Sequence, residues 1–251
     1  MHPLTAILVA TTAAGVASVL LAALFLVTPE RHRLAAVPLM VSFAIGSLLG
    51  AAFLGLLPEA FSAAGNAGHR RVGAAAVAGL LVFFLIEKYV LWRHCHRDHC
   101  EKHPVERTAA GTLVIVGDTL HNFIDGLLLA AAFLSNPAVG LASTIAVATH
   151  ELPQEVGDFA ILLQSGYGRG KALLFNVLSG LGMVAGGLAG YVAFSALKPV
   201  VPYMIGFAAA SFIYIAAADL IPEQHRRLGL RASVQQLALI ASGAGLIWAI
   251  G

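Results

Sequence analysis

The feature that most constrains this chain is a series of apolar runs, each long enough to cross a lipid bilayer as a helix. A transmembrane helix needs about 20 mostly apolar residues, and we find eight such runs among the 251 residues. Their predicted bounds are 4–28, 35–57, 72–93, 108–134, 138–163, 171–195, 200–222 and 232–250. These runs occupy most of the chain and leave no room for a sizeable soluble domain. Only 11% of the residues are charged, which is far fewer than in a soluble domain. We therefore predict an all-α polytopic membrane protein whose eight helices form a single domain over residues 1–251.

Lysine and arginine are distributed unevenly among the segments that link these runs. If the N-terminus lies outside, twelve of them fall in inner segments and three in outer segments. The inner set is Arg31, Arg33, Lys88, Arg93, Arg97, Lys102, Arg107, Arg169, Lys171, Arg226, Arg227 and Arg231, and the outer set is Arg70, Arg71 and Lys198. Cytosolic segments are enriched in these residues. The bias therefore predicts that both termini lie outside and that the loop 94–107, between the third and fourth spans, is cytosolic.

Two Pro-Glu pairs suggest an internal repeat. The second run ends in Pro58-Glu59 and the seventh in Pro222-Glu223, each preceded by an alanine-rich stretch. In the predicted orientation the two pairs lie on opposite faces of the membrane. An inverted 3+2+3 arrangement, with the fourth and fifth spans as the central pair, would produce this pattern.

The fourth and fifth runs carry ionisable residues at bilayer depth, where charge is costly and usually marks an ion path or a substrate site. Positions i, i+3 and i+4 share one face of a helix, so these residues form one polar stripe on each span. The stripes comprise Asp118, His121, Asn122 and Asp125 on the fourth span, and His150, Glu151, Gln154, Glu155 and Asp158 on the fifth. Facing stripes would form a cage of imidazole, carboxylate and amide groups, which fits a first-row divalent metal ion.

Three further residues bear on the shape of this cage. Pro153 lies within the fifth span, has no N–H group and frees the carbonyl of Thr149, which is predicted to face the ion path. Gly126 and Gly157 are predicted to let the fourth and fifth helices approach closely.

Other interpretations of the polar stripes stay open at this point. His150-Glu151 resembles the start of a zinc-hydrolase helix motif, but that motif needs a second histidine at the position of Gln154. A membrane-embedded metal-dependent hydrolase is therefore one alternative. A proton-conducting channel is another, since histidine and carboxylate chains relay protons. A purely structural role would not explain why several carboxylates lie at bilayer depth, where each uncompensated charge is costly.

The paired motifs resemble the signature of the ZIP family of divalent-metal transporters, in the bacterial-type form. They are His121-Asn122-x-x-Asp125-Gly126 and His150-Glu151-x-Pro153-x-Glu155, and they most resemble the branch with a His-Glu-x-Pro-His-Glu motif. The resemblance extends over the whole chain. It implies transport of zinc, or of iron, manganese or cadmium, toward the cytosol through a binuclear site between spans 4 and 5.

The resemblance also implies two sets of ligands. The first ion would be held by His121, Asp125, His150 and the residue at 154, and the second by Asn122, Asp125, Glu151 and the residue at 154. Zinc-transporting members often have histidine at the position of Gln154, which offers a carbonyl oxygen but no strong nitrogen lone pair. We therefore expect selectivity to be shifted toward iron or manganese.

Polar residues outside the two stripes yield two further hypotheses. Glu59, Asp219 and Glu223, near span ends, are candidates with Asp118 for a secondary ion path. The loop at 94–107 carries His94, Cys95, His96, His99, Cys100 and His103, a composition typical of metal handling. It is interpreted as a low-order acceptor or sensor of the exiting ion, or as a loop that binds metal adventitiously.

These observations together predict a multi-pass protein of the plasma (inner) membrane that is not an enzyme. Its partners would be divalent metal ions and the lipid bilayer, with a homodimer as a further expectation. The net charge of +2 gives no reason to expect nucleic acid. Zinc or another divalent metal is expected as the transported substrate, and no organic cofactor is expected.

Overall fold

The structure is a computed structural model that describes residues 2–95, 104–225 and 229–250. Within these ranges every regular element is helical, which confirms the all-α prediction. The helices are α1 (Pro3–Phe25), α2 (Glu30–Gly50), α3 (Leu57–Cys95), α4 (Pro104–Ser135), α5 (Pro137–Gln164), α6 (Arg169–Ala196), α7 (Val201–Tyr214), α8 (Ile221–Gln224) and α9 (Leu230–Ile250). A short 3₁₀ turn, Lys198–Val200, precedes α7.

Among the described residues, six helical stretches are long and apolar enough to cross a membrane. They are Pro3–Phe25, Glu30–Leu85, Val114–Ser135, Arg169–Ala196, Lys198–Ala218 and Leu230–Ile250. The stretch Glu30–Leu85 has 56 residues, far more than one crossing needs. Helix α5 is not among the six, and it carries the polar run 150–158, which lowers its hydropathy.

Gly65 interrupts the helical backbone inside the 56-residue stretch. Its φ of 61° and ψ of 174° lie in a region that is essentially open only to glycine. The predicted break between the second and third spans, at 58–71, contains this residue. The chain therefore changes direction at a glycine and stays helical on both sides of it.

A tight turn makes α4 and α5 antiparallel neighbours. Asn136 caps α5 by accepting a hydrogen bond from the backbone N–H of Ala138 at 2.9 Å, and Pro137 occupies the first helical position. Asparagine is favoured at this position because its side chain accepts from a backbone N–H that has no partner within the helix. Proline is favoured at the first helical position because its missing N–H would have no partner there. Only one residue separates the two helices, so their polar stripes are held side by side.

Helix α4 packs more closely on α6 than on α5, along a row of glycines that we call the glycine seam: Gly182, Gly186 and Gly190 of α6 with Gly126 of α4. A Cβ atom at any of the three α6 glycines would press on α4, and one at Gly126 would overlap the carbonyl oxygen of Met183 on α6. Small residues spaced four apart allow such close backbone approach in membrane helices.

The prediction that Gly126 and Gly157 bring α4 and α5 together was wrong. Gly126 faces α6, and a Cβ at Gly157 would meet nothing within 4 Å. The sequence gives the spacing of small residues along a helix, but it does not give the neighbour that each of them faces.

In the part of the chain that the structure describes, three π-helical segments interrupt the α-helical hydrogen bonding. One, Thr12–Ala17, lies within α1; Ala51–Leu56 joins α2 to α3, and Ile215–Leu220 joins α7 to α8. The last two share one register, because each ends two residues before a proline, Pro58 in one case and Pro222 in the other. The two Pro-Glu pairs thus follow the same local backbone form.

Candidate metal centre

Four side chains of α4 and α5 converge on one point, and we call them the histidine group: His121, Asp125, His150 and Glu151. One ligand atom from each lies within 4.8 Å of the others. Glu151 Oε1 lies 3.4 Å from His121 Nε2 and 3.3 Å from His150 Nε2, and the two Nε2 atoms are 3.4 Å apart. Asp125 Oδ2 lies 3.5 Å from His150 Nε2. Ligands of a tetrahedral zinc with bonds near 2.0–2.1 Å are about 3.3 Å apart, so this spacing suits a single metal ion.

The backbone of α5 orients the His150 ring toward the centre of the group. Its Nδ1 lies 3.2 Å from the carbonyl oxygen of Ala146, one turn earlier on the same helix. A carbonyl oxygen only accepts, so Nδ1 carries the proton and Nε2 keeps its lone pair for a metal. A backbone partner of this kind commonly fixes the tautomer of a ligating histidine.

The carboxylates of the histidine group are buried without hydrogen-bond partners. Asp125 and Glu151 have no solvent exposure, and neither oxygen of either side chain has a hydrogen bond. His121 is the accessible member, with 20% of its side chain exposed. Buried carboxylates need a cation or a donor to offset their lost hydration. A divalent ion at the centre would supply that charge, so the residues present fit a metal.

A second cluster, which we call the carboxylate group, adjoins the first and shares Glu151 with it. It consists of Asp118, Glu151 and Glu155, with one ligand oxygen from each within 4.8 Å of the others. All three side chains are buried. The side-chain amides of Asn122 and Gln154 donate to Asp118 Oδ1, at 3.0 Å and 3.3 Å.

The two groups divide the predicted site residues in a way that the stripes alone did not specify. The resemblance assigns Asn122 to the second ligand set and position 154 to both sets. In the structure the side chains of Asn122 and Gln154 both donate to Asp118, a member of the predicted polar stripe and of the predicted secondary path. Asp158 is half-buried and lies outside both groups.

Two hydroxyl pairs near the site have no signal in the sequence. Ser47 of α2 lies 2.6 Å from Thr149 of α5 through their hydroxyl oxygens, and Thr119 of α4 donates to Ser179 of α6 at 3.1 Å. They connect the metal-bearing helices to their neighbours. Isolated serines and threonines are common in helices, where they usually bond to their own backbone, so nothing marked these four in advance.

Among the residues of the predicted secondary path near span ends, the structure describes a side-chain contact for Glu59. Glu59 accepts a hydrogen bond from Ser135 Oγ at 2.5 Å, which holds it beside the end of α4. Ser135 follows Asp125 by ten residues, or about 15 Å of helix, so Glu59 is not a ligand of either group. Asp219 lies in the π-helical segment Ile215–Leu220 and Glu223 in α8.

The predicted metal-handling loop falls mostly outside the described residues. His94 and Cys95 are the last two residues of α3, whereas His96, His99, Cys100 and His103 lie outside the described ranges. Helix α4 begins at Pro104, inside the predicted loop bounds of 94–107. The metal-handling hypothesis for this segment stays a prediction.

Comparison with known proteins identifies a family over the whole chain. A sequence profile described as "ZIP Zinc transporter" matches residues 2–109 and 92–251. The chain is 34% identical over 218 residues to zinc transporter ZIP13 of Pongo abelii, covering 81% of this chain and 63% of that protein. It is 32% identical over 251 residues to the Homo sapiens protein of the same name, covering 81% and 68%. Zinc transporter foi of Drosophila melanogaster is 39% identical over 151 residues, which is 57% of this chain and 20% of that protein. This chain thus spans about two thirds of the length of the ZIP13 relatives.

Proposed function

Since this chain belongs to the ZIP zinc transporter family, we propose that it carries divalent transition-metal ions, zinc first among them, across a membrane toward the cytosol. The single observation that carries the proposal is the histidine group, whose four ligand atoms lie at metal-ligand spacing in the protein interior. Relatives are named zinc transporters. The family is one of transporters, which favours transport over the hydrolase suggested by the His150-Glu151 pair.

The chemistry of the histidine group suits transport better than permanent storage of a metal. Two imidazoles and two carboxylates bind zinc, iron or manganese without the thiolates that hold a structural zinc tightly. His121 alone is partly exposed, so it is the ligand that an incoming hydrated ion would meet first. A carrier must release its ion, and mixed nitrogen and oxygen ligands allow this.

We place this site at the centre of eight membrane crossings in an inverted 3+2+3 arrangement. Gly65 supports two crossings within Glu30–Leu85, and the shared register of the π-helical segments before Pro58 and Pro222 supports the repeat. The packing is consistent with it, since α3 packs on α7 as α2 packs on α9. The excess of basic residues in alternate segments supports both termini outside.

The surface of the described residues supports a lipid environment. Large apolar side chains are exposed along the helices, among them Leu24, Leu237 and Trp248. A water-soluble monomer rarely exposes so much apolar surface. We propose the plasma (inner) membrane as the location, and a homodimer as the assembly to be tested there.

Uptake by the purified full chain in lipid vesicles tests the proposed function. We expect saturable zinc uptake that cadmium, iron and manganese reduce in competition, and loss of uptake in His121→Ala and in Glu151→Gln, which keeps the shape of the side chain. His69→Ala is the matched control, because His69 is exposed and packs edge-on against Phe61. Undiminished zinc uptake by a well-folded Glu151→Gln protein would refute the proposal.

A further inference from the structure

The loop between α5 and α6 and the first turn of α6 line an open cavity of about 670 Å³, far along the chain from the metal-ligand stripes. Residues 165–171 form most of its wall, and Leu174 and Phe175 of α6 complete it. The wall thus combines a glycine-rich loop, two basic side chains and two large apolar side chains. A concave site with convergent polar groups beside apolar ones is typical of a ligand site.

The loop that lines the cavity has a defined backbone structure. Gly166 has a φ of 89°, which a residue with a side chain rarely adopts. The backbone N–H groups of Gly166 and Tyr167 donate to the carbonyl oxygens of Leu163 and Leu162, each at 3.1 Å, which closes the end of α5. Tyr167 packs edge-on against Phe175, with ring centres 5.6 Å apart. The cavity is therefore formed by the fold itself.

The first turn of α6 carries a positive charge without a partner. Its backbone N–H groups have no acceptor within the helix and give this end a partial positive charge. Gly168 provides no side chain to cap them, and the turn contains no acidic residue. Arg169 and Lys171 add two cations there, and neither has an ion-pair partner among the described residues. Cations are unfavourable at this end of a helix, whereas an anion would be favourable.

The side chain of Ser165 is an observation independent of the helix end. Ser165 lines the cavity and is only 9% exposed. Its hydroxyl has no hydrogen-bond partner among the residues that the structure describes. By contrast, the hydroxyls of the buried Ser18 and Ser47 donate to carbonyl oxygens of the preceding turn. Buried polar groups are normally hydrogen-bonded, so the Ser165 hydroxyl is a donor that is available to a ligand oxygen.

An apolar face of α6 continues from the cavity along the helix. The face comprises Lys171, Leu174, Leu178 and Leu181, which share one side of the helix. The three leucines are each about half exposed. Leu181 lies about 15 Å along the axis from Lys171, and Leu174 also lines the cavity. The basic cavity is therefore continuous with a surface that suits acyl chains.

We propose that this cavity binds the phosphate group of an anionic phospholipid from the cytosolic leaflet. The phosphate accepts hydrogen bonds from the first-turn N–H groups of α6 and from the Ser165 hydroxyl, and Arg169 and Lys171 balance its charge. The acyl chains lie along the leucines of α6. In the proposed orientation the cavity is on the inner side, where basic pockets of membrane proteins bind anionic headgroups. Free phosphate would use the same polar groups but not the apolar face beside them.

Native mass spectrometry of the purified full chain in neutral detergent tests the lipid site. The protein is titrated with dioleoyl phosphatidylglycerol, which is anionic, and separately with dioleoyl phosphatidylcholine, which has the same chains and a zwitterionic headgroup. Wild type is expected to bind phosphatidylglycerol more tightly than phosphatidylcholine. Arg169→Gln and Lys171→Gln should each weaken phosphatidylglycerol binding by about fivefold, as expected for one basic residue near an anionic headgroup.

Two further variants test the hydroxyl and the helix end. Ser165→Ala removes only the hydroxyl and should weaken phosphatidylglycerol binding by about tenfold, typical of a hydrogen bond to a charged group. Gly170→Glu places a carboxylate in the first turn of α6, where it suits the helix dipole and where a Cβ meets nothing within 4 Å. It should abolish phosphatidylglycerol binding without lowering the midpoint of thermal unfolding.

Arg231→Gln is the matched control for the loss of a basic residue. Arg231 is exposed in the first turn of α9, on the same side of the membrane as Arg169 in the proposed orientation. Its replacement should leave phosphatidylglycerol binding as in wild type. An equal loss of binding in Arg231→Gln and Arg169→Gln would show a general effect of surface charge and would overturn the proposal.

Inorganic phosphate identifies the source of the phosphate group. Added alone, it should bind to wild type far more weakly than phosphatidylglycerol does, because it lacks acyl chains. Equally tight binding of inorganic phosphate, or no preference for phosphatidylglycerol over phosphatidylcholine, would overturn the lipid assignment. Wild-type binding of phosphatidylglycerol by folded Ser165→Ala and Gly170→Glu would overturn the site itself. None of these outcomes depends on metal transport, so the lipid site and the proposed function are tested separately.

Discussion

At the scale of single residues, the chemistry of the candidate metal centre depends on which atom each side chain turns toward it. His150 presents Nε2 because the carbonyl of Ala146 occupies its Nδ1. Gln154 presents an N–H to Asp118 where a histidine would present a ring nitrogen. We therefore predict that the side chain at position 154 influences which metal the site prefers.

Replacing that amide with an imidazole is a direct test. We expect Gln154→His to raise zinc affinity over Mn²⁺ affinity by about tenfold, or about 1.4 kcal/mol, because imidazole nitrogen favours zinc over manganese. Competition between the two metals in vesicle uptake measures the ratio. Gln236→His is the matched control, because Gln236 of α9 bonds to Gln224 away from both groups. An unchanged ratio in Gln154→His would mean that position 154 does not contact the transported ion.

At the scale of helices, the closest packing involves backbone rather than large side chains. The glycine seam holds α4 against α6, whereas α4 and α5 are held by their short turn and by the contacts of the polar stripes. The contact with α6 thus holds α4, and with it the metal-bearing face of α4, in place. Close backbone packing tolerates no added atoms, so it positions that face accurately.

Alanine substitutions on and off the seam measure this contribution. A Cβ at Gly186 would overlap the carbonyl oxygen of Phe123, so Gly186→Ala should destabilise the fold by about 1–3 kcal/mol, typical of overpacking. Gly157→Ala is the matched control, since its Cβ meets nothing and alanine is the better helix former. Thermal unfolding in detergent should give a lower midpoint for the first and an equal or higher one for the second. Equal unfolding midpoints for Gly186→Ala and wild type would contradict close backbone packing along the glycine seam.

At the scale of the whole molecule, the proposed arrangement is two sets of helices around a central pair. The π-helical segments precede Pro58 and Pro222 in one register, and Gly65 turns the chain inside its longest helical stretch. In the proposed orientation, Asn66 and Lys198 lie outside and Arg169 lies inside. All three side chains are exposed, which makes them suitable positions for labelling.

A membrane-impermeant maleimide tests this topology in intact cells, on a background of Cys95→Ser and Cys100→Ser. Asn66→Cys and Lys198→Cys should be labelled from outside, whereas Arg169→Cys should be labelled only after permeabilisation. Labelling of Asn66→Cys only after permeabilisation would show that Glu30–Leu85 does not cross the membrane twice as proposed.

The sequence was sufficient for the helical class, the two polar stripes and the residues of the histidine group, because helical periodicity fixes which side chains share a face. It was not sufficient for contacts that depend on how each helix is rotated against its neighbours. Gly126 faces α6 rather than α5, and the division of the two stripes into a histidine group and a carboxylate group was not specified by the stripes alone. The hydroxyl pair of Ser47 and Thr149 likewise depends on helices far apart in the chain.

The glycine seam also has an electrical consequence. Two backbones in contact leave no file of water between α4 and α6, so that side of the central pair is an insulator. The transmembrane voltage is the same along every path, but the path of the ion is then confined to the other side of α4, where the side chain of His121 is partly exposed. A dication that crosses the membrane there moves through the whole potential difference, so transport should respond to membrane potential at about 2.3 kcal/mol per elementary charge for each 100 mV.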